Sequence, residues 1–90
     1  MIYPFMTLND DTEIVHTEMD NFGKVKVLIE TPDENLGFKS ATCILPNFEW
    51  KDIIGYNDEE LNYLKELVDS EKHLILEFSK TGGFDNASSF

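Results

Sequence analysis

The chain contains no arginine: its seven basic residues are all lysines, set against eighteen Asp and Glu for a net charge of −11. Lys and Arg clusters supply most sequence-independent affinity for nucleic acid, and arginine forks are the usual grip on phosphate and carboxylate groups. Direct nucleic-acid binding is therefore not expected. There is one cysteine, Cys43, so no intrachain disulfide is available, whereas small secreted domains usually carry several. No apolar run approaches the ~18 residues of a membrane span, and no basic segment leads into an apolar one. The expected location is the cytoplasm. The phosphate-loop, dinucleotide and H-E-x-x-H patterns are missing, and one Cys with two His cannot by themselves supply four zinc ligands. No cofactor is expected.

What is present suits one small domain. Ninety residues, 41% of them hydrophobic, with seven Phe, three Tyr and one Trp, provide one core and not two. The acidity falls into two blocks. Residues 1–20 carry Asp10, Asp11, Glu13, Glu18 and Asp20 without a lysine, and residues 57–71 carry Asp58, Glu59, Glu60, Glu66, Asp69 and Glu71 against Lys65. The segment between them is close to neutral. If the blocks meet on one face, they form a candidate binding surface; if they lie apart, they are most simply a solubility device.

The patterning predicts an α+β fold, with a four-stranded antiparallel meander (2–8, 12–19, 24–30, 38–45) followed by helices (58–69, 71–81) packed on one sheet face. Pro4 cannot donate a ladder hydrogen bond, which puts the first strand at an edge. Asn9-Asp10-Asp11 and Asp20-Asn21-Phe22-Gly23 read as turns. Val25, Val27 and Ile29 share one face of the third strand; Ala41, Cys43 and Leu45 share one face of the fourth. Links this short favour antiparallel neighbours. Residues 31–37 read as a loop, and residues 47–56 show no clean period and are expected to lie over a core edge. Asn57 with Glu60 forms a capping-box start, and Asp58 and Glu59 suit the first turn. Leu61, Leu64, Leu67 and Val68 form an apolar stripe, which an unbroken helix would carry onto Glu71. That conflict predicts a break at Asp69-Ser70 and a second helix burying Leu74, Ile75 and Phe78. The competing reading makes 73–78 a fifth strand. Gly82-Gly83 is a helix stop, and Phe84 and Phe90 are candidates for docking.

Several residues could carry chemistry. His16 and Glu18 lie two apart in a strand, a spacing that can present two metal ligands or an acid–base pair. Their bland alternative is the polar outer face of a half-exposed strand. Asp10, Asp11 and Glu13 are candidate oxygen ligands for a cation at a hairpin tip, although turns favour Asp for backbone reasons alone. Cys43 could pair with His16 or His73 as thiol and imidazole, or be a small buried hydrophobe. Lys24 and Lys26 share a strand face without an interleaved aromatic. Leu28, Phe38 and Ile44 point away from the core face and are the candidate interaction residues, together with Asp58, Glu59 and Glu60.

Residues 55–80, GYNDEELNYLKELVDSEKHLILEFSK, resemble a family of short bacterial proteins of unknown function. In that family hairpin strands precede a G-[apolar]-x-x-x-E-[apolar] helix start and two short helices, and some members are suspected toxin–antitoxin components. The resemblance implies the β-then-α order. The function expected is thus a non-enzymatic interaction or regulatory module, acting on a basic protein partner or as a homodimer. The alternatives are a small metal-assisted hydrolase using His16, Glu18 and the Asp10/Asp11 tip, and a toxin–antitoxin component.

Overall fold

The computed structural model describes residues 1–81. The chain is α+β: five strands, β1 (Ile2–Thr7), β2 (Glu13–Thr17), β3 (Val25–Asp33), β4 (Gly37–Leu45) and β5 (Glu49–Ile54), precede one helix, α1 (Asp58–Thr81). The sheet is an antiparallel meander in sequence order, with β1 and β5 at its edges. Pro4 thus sits in an edge strand, where its missing N–H costs no ladder bond.

The expected four strands are corrected to five. The extra one, β5, lies in the segment expected to drape over a core edge. Its periodicity is hidden for two reasons. It is an edge strand in which only Trp50 is turned partly inward. Its pairing with β4 also slips between Ser40 and Thr42, near Asp52, which adopts φ 53°. An inserted residue of this kind breaks the alternation that a sequence reading looks for.

Strand β3 also runs on through Thr31, Pro32 and Asp33, which were expected in a loop; Pro32 pairs with Phe38. Proline is tolerated here because β2 pairs no further than Glu13 opposite Glu30, so no ladder on that side needs its N–H. The remaining turn is built by Asp33, whose Oδ2 accepts from the N–H groups of Asn35 (3.1 Å) and Leu36 (2.9 Å). Asp20 does the same for the β2–β3 turn, accepting from Phe22 and Lys24, both at 2.9 Å.

Helix α1 begins as its sequence predicts. The Asn57 side chain accepts from the Glu60 N–H at 2.8 Å, and the Glu60 carboxylate accepts from the Asn57 N–H at 3.0 Å. The expected break at Asp69-Ser70 is absent, and 73–78 is helical rather than a strand. Ser70 does not cap a second helix; its hydroxyl donates to the Leu67 carbonyl one turn back, at 2.7 Å. Glu71 is accommodated half-buried between Val68 and Ile75, both fully buried. A long stem can line an apolar stripe while its charged end reaches water, so one carboxylate does not end a helix. Leu74, expected inward, is 48% exposed.

The helix covers one face of the sheet. Leu64, Val68 and Ile75 pack with Phe5, Ile14, Val25, Val27, Ile29, Cys43 and Leu45. Each such side chain contributes roughly 1.5–3 kcal/mol on burial. The opposite face, carrying Ile2, Pro4, Val15, Leu28 and Ile44, has no helix over it among the described residues. No helix among the described residues is long and apolar enough to cross a membrane. Gly82-Gly83, Phe84 and Phe90 lie outside the described residues.

Candidate functional site

At the end of the sheet where α1 begins, a depression of about 240 Å³ is lined by Leu8, Asp10, Thr12, Thr31, Tyr56, Glu59, Glu60, Tyr63 and Leu64. It joins the β1–β2 turn to the first turns of the helix. The turn is locally determined: the Leu8 N–H donates to the Thr12 carbonyl (2.8 Å) and the Asp11 N–H to the Leu8 carbonyl (3.0 Å). Asp11 takes φ 64°, a conformation Asp tolerates better than most residues. Asp10 accepts from the Thr12 N–H at 3.2 Å, which holds its carboxylate at the depression.

Behind the carboxylates runs a chain of hydroxyls. Thr12 Oγ1 and Thr31 Oγ1 are 2.7 Å apart, and Thr31 Oγ1 and the Tyr56 phenol oxygen 2.8 Å. Tyr56 also faces the Lys39 carbonyl at a long 3.4 Å. Both threonines are buried. Lys39 in turn bonds Glu60 at 2.7 Å. The charges respond accordingly. The Thr12 hydroxyl, aided by its N–H, holds the Asp10 carboxyl below the usual carboxylate range against the opposing effect of burial. The Lys39 ammonium, with the Asn57 N–H, lowers Glu60, and Glu60 raises Lys39. Burial raises the Tyr56 phenol, and Asp10 and Glu60 push it the same way. The depression is thus acidic at its rim and apolar along walls made by Leu8, Leu64 and the tyrosine rings. Such walls suit a long aliphatic stem with a cationic end.

The sequence-derived candidates divide. Asp10, Glu59 and Glu60 come together here. Asp11 and Asp58 are exposed nearby, and Glu13 points to the other sheet face, opposite Glu30. The hairpin carboxylates are therefore not a single cluster, and no three His, Cys, Asp or Glu converge into a metal-holding group among the described residues.

His16 corrects a second expectation. It is fully buried, not on an outer polar face. Strand β2 carries one strong apolar residue of each parity, Ile14 and Val15, so its sequence alone leaves the inward face open. Pairing of Ile14 with Ile29 and of His16 with Val27 decides it, since a one-residue change of parity flips every side chain. His16 Nδ1–H donates to the Thr17 carbonyl at 2.9 Å, and Nε2 has no partner among the described residues. Glu18 lies beyond the end of β2 and accepts from the Tyr3 hydroxyl at 2.7 Å; the Tyr3 ring lies 5.7 Å from the imidazole. The two residues do not form an acid–base pair.

Cys43 is separated from His16 by the intervening Val27, on the order of 10 Å at the usual strand spacing. His73 is exposed on the helix. Burial pushes the Cys43 thiol up to about 12, the opposite of what a nucleophile needs.

Of the interaction candidates, Phe38 is 58% exposed and Leu28 is half-buried on the uncovered sheet face. Ile44 is corrected: it is only 8% exposed. It sits between Lys26 and Glu49 in register, and with Lys24 and Lys51 nearby the stems of these side chains shield it.

The hydroxyl chain of Thr12, Thr31 and Tyr56 was missed in sequence. Its one available signal is that the inward alternation of Val25, Val27 and Ile29 continues to Thr31. Comparison with known proteins gives no match: no family model, no curated protein and no solved structure is significantly similar to this chain.

Proposed function

We propose that this chain is a non-catalytic interaction module that presents the acidic depression at the start of α1 to a basic side chain of a partner protein. The observation that carries the reading is the convergence of the two acidic blocks. Asp10 from the first and Glu59 and Glu60 from the second line one depression with apolar walls. Glu60 is engaged by Lys39. Asp10 and Glu59 form no ion pair among the described residues and are the groups that meet the incoming cation. Complementary charge of this kind gives specificity and fast encounter. Of the residues the hydrolase alternative draws on, His16 is a core residue and Glu18 is engaged by the Tyr3 hydroxyl, which weighs toward binding rather than chemistry. A regulatory role of the antitoxin-like or phage-type kind is a special case of this reading.

The test is selection of ligands from a random peptide library by the wild-type chain, with Asp10→Asn/Glu59→Gln as the comparison. The Asp10→Asn change keeps a side-chain oxygen to accept from the Thr12 N–H, so the turn is preserved. The expected ligands contain a Lys or Arg, bind more weakly as salt rises, and lose roughly 10-fold or more in affinity to the double variant. Ligands without a basic residue, or binding indifferent to the double variant, overturn the proposal.

A further inference from the structure

The depression at the start of α1 discriminates between kinds of cation, because its polar atoms are unequally committed. Glu60 accepts from Lys39 Nζ at 2.7 Å and from the Asn57 N–H at 3.0 Å. An ammonium of the chain itself is thus already seated on one of the three carboxylates that line the depression. Asp10 accepts from the Thr12 N–H at 3.2 Å, and the hydroxyls of Thr12, Thr31 and Tyr56 are bonded to one another. Asp10 and Glu59 retain uncompensated charge, since neither forms an ion pair among the described residues. The rest of the lining is largely carbon, from Leu8, Leu64 and the rings of Tyr56 and Tyr63.

A lysine ammonium brings three N–H donors and is strongly hydrated. On leaving water it needs an acceptor for each donor, and most of the oxygens here already serve the protein's own donors. Arginine brings five donors and needs more. Methylation of the lysine nitrogen keeps the charge while replacing donors with carbon, so that less is lost when water is stripped away. Aromatic rings attract such a cation through their quadrupole, and carboxylates close by add Coulombic attraction without a hydrogen bond.

The helix and the hydroxyl chain prepare the two rings. Glu59 and Tyr63 stand one turn apart, as do Glu60 and Leu64, so each carboxylate has an apolar neighbour on the same helix face. The Tyr56 phenol is held by Thr31 at 2.8 Å, which fixes its ring before a ligand arrives, and preorganisation of this kind favours affinity. Tyr63 is 58% exposed. Exposed side chains change rotamer rapidly, so its ring has room to turn toward a bound cation.

Size limits the occupant. A volume of about 240 Å³ is below the roughly 300–1,000 Å³ of pockets that hold whole small molecules, and suits the end of one side chain. A second depression of about 320 Å³ shares Leu8, Asp10 and Tyr63 with the first and extends over Thr7 and Asn9. It continues the surface along the β1–β2 turn, where the backbone carrying such a side chain can lie.

We infer that the ligand of this depression is a lysine methylated on its side-chain nitrogen and presented by a segment of a partner protein, an inference that rests on the cation-binding reading above. The methylated ammonium sits among Leu8, Leu64, Tyr56 and Tyr63, with Asp10 and Glu59 supplying the charge. The residues flanking it lie along the second depression.

The test is titration of the isotope-labelled chain, followed by NMR at the amides of Glu59 and Tyr63. The probes are a capped Ala-Lys-Ala peptide with its lysine unmodified or trimethylated, the neutral isostere with carbon in place of the trimethylated nitrogen, and tetramethylammonium chloride. The trimethylated peptide is expected to bind roughly five-fold or more tightly than the unmodified one and than the neutral isostere. It is also expected to bind more tightly than tetramethylammonium, which lacks a backbone for the second depression. Tyr63→Phe should keep the preference for the trimethylated peptide and Tyr63→Leu should lose it, with circular dichroism confirming that both variants are folded. An unmodified peptide that binds as tightly as the trimethylated one overturns the inference and leaves the acidic depression as a site for ordinary basic side chains. So does a preference that survives Tyr63→Leu. An isostere that binds as well as the trimethylated peptide removes the role of charge, and tetramethylammonium binding equally well removes the peptide as occupant; either overturns the inference. If no cationic probe binds, the inference and the reading beneath it fall together.

Discussion

Thr31→Val separates two accounts of the hydroxyl chain beneath the depression. Threonine and valine have nearly the same shape, and Thr31 is 8% exposed at the end of β3. If Thr31 were simply a β-branched filler, valine would be neutral or slightly stabilising. The hydrogen bonds argue otherwise. The Thr31 hydroxyl stands between Thr12 Oγ1 at 2.7 Å and the Tyr56 phenol at 2.8 Å. Valine removes both bonds and leaves a buried Thr12 hydroxyl and a half-buried Tyr56 phenol to find other partners. Tyr56 has only the long 3.4 Å contact to the Lys39 carbonyl to fall back on. Each bond is worth about 0.5–1.5 kcal/mol net, and an unsatisfied buried group costs somewhat more. The expected loss is about 2 kcal/mol, or on the order of 8–16 °C in Tm for a domain of this size. The assay is urea unfolding, read as a lower midpoint at unchanged slope. Tyr56→Phe removes the other end of the same bond, so the double variant should lose less than the two singles together, with a coupling of about 1 kcal/mol. A Thr31→Val chain within about 0.5 kcal/mol of wild type, or strict additivity with Tyr56→Phe, would refute the hydroxyl chain as a structural element.

Gly55→Ala meets two obstacles: φ is +87°, and a Cβ would lie 2.9 Å from Lys39 Cγ and 3.0 Å from Leu36 Cδ1. The left-handed backbone alone costs roughly 1–2 kcal/mol, so a loss of at least that size is expected in urea, and an unchanged midpoint would count against the tight β5–α1 junction. Asp10 and Glu60 both titrate below their ordinary range in the folded chain. Their contribution is therefore complete above the unfolded carboxyl pKa values of ~4 and is lost as pH falls through the lower folded values. Stability measured in urea from neutral pH down to about pH 3 should decline in that window, and Lys39→Met should flatten the part that comes from Glu60. Cys43, buried with its thiol pushed up to about 12, should resist a thiol reagent at neutral pH until the chain is unfolded; rapid labelling under native conditions would contradict its placement.

The residues that disclosed the fold were those whose local chemistry agrees with their surroundings. Asp20, Asp33 and the Asn57–Glu60 pair act within four residues of themselves, so their turns and cap were readable or nearly so. The alternation of Val25, Val27 and Ile29 announced a half-buried strand because a central strand has a wet and a dry face. Where burial is decided by neighbours, the reading failed. The parity of β2 depends on which of Ile14 and Val15 meets the core, and His16 is carried inward with Ile14. The fate of Glu71 depends on how far its stem can reach. The site was half legible: the two acidic blocks were visible as composition, whereas Thr12, Thr31 and Tyr56 are distant in sequence and acquire meaning only through the sheet.

The most consequential misreading, the missed β5, also decides where the charges meet. In an antiparallel meander each strand reverses direction, so the end of the sheet at which a following helix starts depends on whether the strand count is odd or even. After four strands, the helix would begin at the end holding the β2–β3 turn, a sheet length away from Asp10. After five, it begins beside the β1–β2 turn and runs back, its 24 residues spanning about 36 Å at helical rise. The Ser79 carbonyl then accepts from the Met19 N–H at the far end. An exposed, irregular edge strand with only Trp50 turned partly inward thus places Glu59 and Glu60 beside Asp10. It does so through topology, without lining the depression itself. Changes that loosen β5, such as Gly55→Ala, should therefore weaken ligand binding at Asp10 and Glu59 even though they alter none of the residues that a cation would touch.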